Sequence, residues 1–186
     1  MYKAKLLSLL ILISYIFTGC SSMSAIEKDQ KRNELDAMAE ATIASLIEKD
    51  PQLKEEIENS PGYAVFDSKV TKVPIVGGGG AEGVLINKSQ RHVYVTAKRF
   101  DIGGGVGARS FKALMVFDSQ EVVDDWMDGN WEYQAGAEAS AGEASADGAS
   151  GGAGFEMHVL SEGGASATAT ARVIRVKINK ELTGEY

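Results

Sequence analysis

The chain of 186 residues carries one cysteine, two histidines and three prolines. A single cysteine, Cys20, excludes an internal disulfide. The histidines, His92 and His158, stand in strand-like segments with no metal-ligand spacing, and no G-x-S-x-G elbow supplies a nucleophile. Basic residues are few: 19 Lys and Arg face 26 Asp and Glu, for a net charge of −7. No basic stripe with interleaved aromatics is present, which excludes a nucleic-acid partner. These shortages leave a non-catalytic reading, with no cofactor and no metal expected.

Glycine is abundant, with 21 residues, and two clusters organise the chain: Gly77 to Gly83, and Gly103 to Gly107. Gly78-x-Gly80-x-x-Gly83 and Gly103-x-Gly105-x-x-Ala108 match the letters of a dinucleotide fingerprint. That fingerprint needs a helix after the turn to receive the pyrophosphate. Here Val84-Leu85-Ile86 and Ser110 to Phe117 follow, and both read as strands. No Lys-Ser or Lys-Thr completes a phosphate loop. The clusters therefore read as bend points in strands.

The first segment is a targeting sequence. Lys3 and Lys5 precede an apolar run from Leu6 to Phe17, too short for a confident membrane span. Phe17-Thr18-Gly19-Cys20 resembles a bacterial lipobox, in which the cysteine receives acyl chains such as palmitate and the chain is cut before it. An ordinary signal peptide or an N-terminal anchor helix is the alternative. Ser21 and Ser22 follow in place of an aspartate, which by analogy directs the protein to the outer membrane, facing the periplasm. Loss of Lys3 and Lys5 with residues 1–19 would take the net charge from −7 to −9.

Residues 20–32 read as a polar tether and 33–186 as one domain. From Asn33 the apolar period is helical, through Leu35, Met38, Ala39, Thr42, Ile43, Leu46 and Ile47. Asp50-Pro51 predicts the N-cap and first residue of a short second helix ending near Glu58. Strands are predicted at Tyr63–Phe66, Val70–Val73, Ile75–Ile86 around the first cluster, His92–Ala97, and Ser110–Phe117. Ser119 and Gly129 bracket a short helix with Val122, Val123, Trp126 and Met127 on one face. Strand sequence resumes at Trp131. Alternating alanines predict strand over Ala135–Gly142 and a loop over Glu143–Gly152. The last strands are predicted at Phe155–Ser161 and Ala165–Ile178, with a bulge near Arg172. The predicted class is α+β: N-terminal helices, then a strongly curved, mainly antiparallel, barrel-like sheet with one short inserted helix.

The scarce cations flank the glycine clusters. Lys69 and Lys72 precede the first, Lys98 and Arg99 the second, and Arg109 and Lys112 follow it. If the clusters lie on neighbouring strands, these residues gather at one end and could hold an anion or a lipid headgroup.

Several features resemble the SYLF domain family of lipid-binding modules. They are Ser60-Pro61-Gly62, the strand ending at Phe66, Val70-x-Lys72, Gly80-Ala81-Glu82-Gly83-Val84-Leu85, Gly104 to Phe111, and Trp131-Glu132-Tyr133. The likeness spans about Asn33 to Ile178. Pro74 and Arg109 depart from the family's pattern. The resemblance implies binding of membrane lipid headgroups by a membrane-anchored lipoprotein. The alternative is a structural envelope lipoprotein with a protein partner.

Overall fold

The computed structural model describes residues 23–129, 131–141, 144–147 and 154–184. Cys20 and the expected targeting segment lie outside them. The order is α1 (Ala25–Lys49), α2 (Leu53–Asn59), β1 (Gly62–Lys72), β2 (Val76–Asn87), β3 (His92–Phe117), α3 (Gln120–Asp128), β4 (Trp131–Ala141), β5 (Ala144–Asp147), β6 (Phe155–Ile178) and α4 (Lys180–Thr183). The protein is α+β, with a strongly curled antiparallel sheet in the order β1-β2-β3-β6-β4-β5.

Helix α1 begins eight residues earlier than the apolar period predicts, so residues 25–32 are not tether. Ser24 caps it, its side chain accepting from the Glu27 N–H while the Glu27 carboxylate accepts from the Ser24 N–H. This reciprocal capping box satisfies two backbone donors that the helix start would leave open. Arg32 then donates to the Leu182 carbonyl oxygen at 2.7 Å, tying the first turns of α1 to α4. Helix α2 starts at Leu53, because Asp50 caps a turn by accepting from the Gln52 N–H instead of opening the helix itself.

The described strands number six, and several are longer than predicted. Tyr63–Phe66 and Val70–Val73 merge into β1, which ends before Pro74, where no N–H is available for the ladder. His92–Ala97 and Ser110–Phe117 are the two ends of one strand of 26 residues, β3. Residues 144–147 are strand, where a loop was expected.

The register explains the curl. The first half of β3, His92–Ile102, pairs with β2, and the second half, Gly107–Val116, pairs with β1. Because β1 and β2 are themselves antiparallel neighbours, β3 must reverse direction between its halves. The β1–β2 hairpin sits inside the bend of β3, and β6 follows β3 round the same corner along nearly its whole length. The corner falls at Gly103 and Gly105, whose φ of 138° and 139° a side chain would resist. The Gly103 N–H donates to the Ile75 carbonyl oxygen at 2.9 Å, pinning the hairpin end into the bend. The second glycine cluster is thus a bend point as expected. The first is not: Gly77 to Gly83 run within β2 with no positive φ. At Gly83 the need is space, since a Cβ there would overlap the Val65 carbonyl oxygen and lie 2.8 Å from the Phe66 ring. The β4–β6 register shifts between Ala135 and Ala137, opposite Arg172 and Ala169, close to the predicted bulge.

The half of the sheet away from the corner, its base, is packed on both faces. On the convex face, Leu35, Ala39 and Leu46 of α1 and Leu53 of α2 cover Val65, Val84, Ile86, Leu114 and Val116. On the concave face, α3 inserts Val123 and Trp126 against Phe66, Phe117, Val93 and Val95. The Trp126 ring lies 5.1 Å from Phe117, 6.2 Å from Phe66 and 6.1 Å from Phe155, tilted or edge-on to each. Asp124, Asp125 and Asp128 face solvent. Among the described residues no helix is long and apolar enough to cross a membrane.

Candidate functional site

Period-2 alternation decides where each predicted cation points. Lys98 and Arg99 are adjacent, so they take opposite faces of β3. Lys98 is exposed on the convex face, whereas Arg99 is buried on the concave one. Lys69 and Lys72 are three apart and divide in the same way: Lys69 exposed, Lys72 buried.

Three of the six predicted cations are therefore interior and structural. Arg99 grips Asp101 through Nε at 2.9 and 3.0 Å and Nη2 at 2.8 Å, with the carboxylate fully buried. Lys72 Nζ donates to the Ile75 carbonyl oxygen at 3.3 Å. Arg109 stacks on Phe111 with its guanidinium carbon 4.3 Å from the ring centroid. A fourth, Lys112, is paired with Glu162. Burial on the concave face turns Arg99, Lys72 and Arg109 away from any ligand approaching the convex surface, and Lys112, which stands on that surface opposite Asp67, is held by its ion pair.

Lys69 and Lys98 remain, and the register brings them together. Both stand directly opposite Gly80, one on each side. Strands lie about 4.8 Å apart, so the two lysines flank a bare backbone gap about 10 Å wide. A Cβ on Gly80 would meet only the Ala97 carbonyl oxygen, at 3.8 Å, so packing does not demand the glycine. Its lack of a side chain leaves the gap open. The three residues line a cleft of about 340 Å³ between α1 and the sheet, together with Lys31, Asp67 and Glu82.

The acids of this cleft are arranged one row nearer the base. Asp67 stands opposite Glu82. Lys31 of α1 binds Glu82 at 2.9 Å and Glu34 at 3.4 Å, and its ammonium pKa is raised, chiefly by the hydrogen bond to Glu82. Among the described residues Lys69 and Lys98 have no ion-pair partner, so their charge is available to a ligand. A tetrahedral anion over Gly80 would meet an ammonium from either side. A second cleft, of about 510 Å³, opens on the other side of Lys69 and runs to Ser110 and Glu162.

Two further polar groups join helix to sheet. Asp36 of α1 accepts from the Tyr94 hydroxyl at 3.0 Å and lies 3.0 Å from His92 Nδ1. Burial first, and the Asp36 carboxylate second, push the Tyr94 phenol up to about 12. His158 Nε2 lies 3.2 Å from Glu56 of α2, and Glu156 completes a group whose ligand atoms all fall within 4.8 Å of one another. The histidine–carboxylate contact already satisfies this group, and it carries no argument for a metal. Glu56 is 102 residues from His158, so no spacing pattern could have revealed the pair.

The fold and this cleft define a class: a curled α+β half-barrel with a charged cleft, holding Lys69 and Lys98, beside a helix. No family model matches the chain, and no solved structure matches it. It is similar to beta cell expansion factor A of Aeromonas veronii, with 26% identity over 156 residues. The alignment covers 83% of this chain and 59% of that protein, so the chain spans little more than half its relative's length.

Proposed function

We propose that this chain is a lipoprotein of a bacterial envelope, anchored at Cys20 and placed in the outer membrane facing the periplasm. Its domain binds phospholipid headgroups without catalysis. The supporting observation is the pair of exposed lysines, Lys69 and Lys98, without an ion-pair partner among the described residues, across the bare Gly80 backbone in an acidic chain. A phosphate there is attracted by two ammonium groups, and two of the nearby acids, Glu34 and Glu82, are drawn off by Lys31. Each such contact at a membrane surface contributes about 1 kcal/mol and weakens with salt.

The test uses the chain from Ser21 onward, which keeps every described element. It is expected to float with vesicles of phosphatidylglycerol at low salt and to lose most of that binding when both Lys69→Ala and Lys98→Ala are present. Binding that is equal in the variant would overturn the assignment of these lysines. Failure to bind any phospholipid vesicle, anionic or neutral, would overturn the reading itself. Separately, Cys20→Ala in cells is expected to move the protein out of the membrane fraction. Retention there would overturn the anchor.

A further inference from the structure

Beyond the two lysines, towards the corner of β3, the sheet is inside out. Successive convex-face residues of β3 after Lys98 are Phe100, Ile102, Gly104 and Val106, all exposed. Their neighbours on the concave face, Arg99 and Asp101, are buried. Val73, Ile75 and Val76 at the end of the β1–β2 hairpin join the exposed set. Seven large apolar side chains are exposed among the described residues, and six of them are in this one place; only Ile26 lies elsewhere. Ile75 and Ile102 are 70% and 68% exposed. Water favours the opposite arrangement. Apolar outside and charged inside is the pattern of β-structure that faces hydrocarbon.

The rows of the register give this tip its polarity. From the base outward on the convex face, the β1–β2–β3 rows are Asp67, Glu82 and Thr96; then Lys69, Gly80 and Lys98; then Thr71, Gly78 and Phe100; then Val76 with Ile102. The unpaired cations thus form a belt directly behind the apolar end. Ile102 lies four residue steps beyond Lys98, about 13 Å along the strand. Amphipathic elements sink about 5–10 Å into the headgroup and acyl boundary. An end that penetrates so far brings the two ammonium groups level with lipid phosphates. Among the described side chains the charges at the tip are held on the concave side, so none of these has to leave water on the way. Arg99 and Asp101 neutralise one another there.

We propose that the end of the half-barrel built from the 73–76 turn and Phe100 to Val106 inserts into the outer layer of an anionic phospholipid bilayer, with Lys69 and Lys98 as its headgroup belt. This rests on the headgroup-binding reading above and adds the mode of docking. The occupant is a lipid surface, since the patch is convex and edged by unpaired positive charge.

In the chain from Ser21 onward, no cysteine remains. A single Ile75→Cys or Ile102→Cys therefore carries an environment-sensitive fluorophore at the tip, and Lys88→Cys carries it in the turn at the base. Vesicles of phosphatidylglycerol and phosphatidylcholine are expected to shift emission at both tip sites to the blue, with quenching by spin labels on the acyl chains and no change at Lys88→Cys. The unlabelled variant with Ile75→Asp and Ile102→Asp is expected to keep its melting temperature and to bind the vesicles about tenfold or more weakly. If the protein floats with vesicles while both tip labels stay in water, insertion is wrong and headgroup binding stands. If it does not float at all, both fall. If it sediments as a dimer in solution that the aspartate variant dissociates, the tip is a self-association surface, and the proposal is overturned.

Discussion

The base and the tip of this protein are made from the same three strands, yet they bury opposite things. At the base, β1, β2 and β3 place Val65, Val84 and Leu114 under helices and Phe66, Val93 and Phe117 around Trp126. At the tip, the concave face of these strands holds Arg99, Asp101, Lys72 and Arg109, and the convex face shows Phe100, Ile102 and Val106 to solvent. Burial at the base is stabilising through apolar area removed from water. At the tip the buried charges are held instead by the Arg99–Asp101 ion pair, the Lys72 bond to the Ile75 carbonyl oxygen and the stacking of Arg109 on Phe111. Residue type alone therefore does not say which face of a strand is inside. The elements packed against it do.

The comparison can be broken most directly at Trp126. Trp126→Ala removes the side chain on which three aromatic rings converge, and should cost about 4 kcal/mol, read by urea denaturation. Asp101→Ala should cost about 3 kcal/mol in the same assay, by removing the buried carboxylate that the Arg99 guanidinium grips. A near-neutral result there would mean that the tip is looser than its burial indicates. Tyr94 sharpens the picture at the helix–sheet seam. Its folded pKa of about 12 exceeds the ordinary phenol value of 10, so its contribution is fully present below pH 10 and is lost as pH rises towards 12. Thermal melts across that window should fall more steeply for the native chain than for Tyr94→Phe. The smallest effect is expected at the tip's outer face, where Phe100→Ser should change stability by less than about 0.5 kcal/mol. A loss approaching that of Trp126→Ala would show that the exposed ring belongs to a core.

Much of the base was legible in the sequence. The stripe from Leu35 to Leu46 and the Ser119-to-Gly129 helix carry their faces in their spacing, and the structure buries Leu35, Ala39, Thr42, Leu46, Val123 and Trp126. The start of α1 was written as Ser24-x-x-Glu27, but residues 25–32 lack an apolar stripe and so read as tether. The continuity of β3 was hidden by its glycines, which signal a bend and an end in the same letters. Their positive φ lets the strand turn the corner without breaking its pairing to β6. For the site, alternation alone required Lys98 and Arg99 to part. What it lacked was which one faces inward, since Phe100 and Ile102 alternate with Arg99 and Asp101 and mimic an inward apolar row. The pairing of Lys69 and Lys98 across Gly80 needed the β1–β2–β3 register, which no local spacing encodes.

The doubling-back of β3 also sets the order in which the molecule can assemble. The β1–β2 hairpin closes over a turn of three residues, 73–75, so it can form early. Its outer edge then waits for the far half of β3, because Tyr63 meets Val116 only 53 positions along the chain. Contacts of such long sequence separation slow folding, since chain entropy is lost before they form. Until they do, β1 presents an open row of N–H and C=O groups, the template on which strands from other copies pair. Residues 103–106 thus act as a latch in time as well as in space, and a chain that stalls before reaching them is the form most exposed to aggregation.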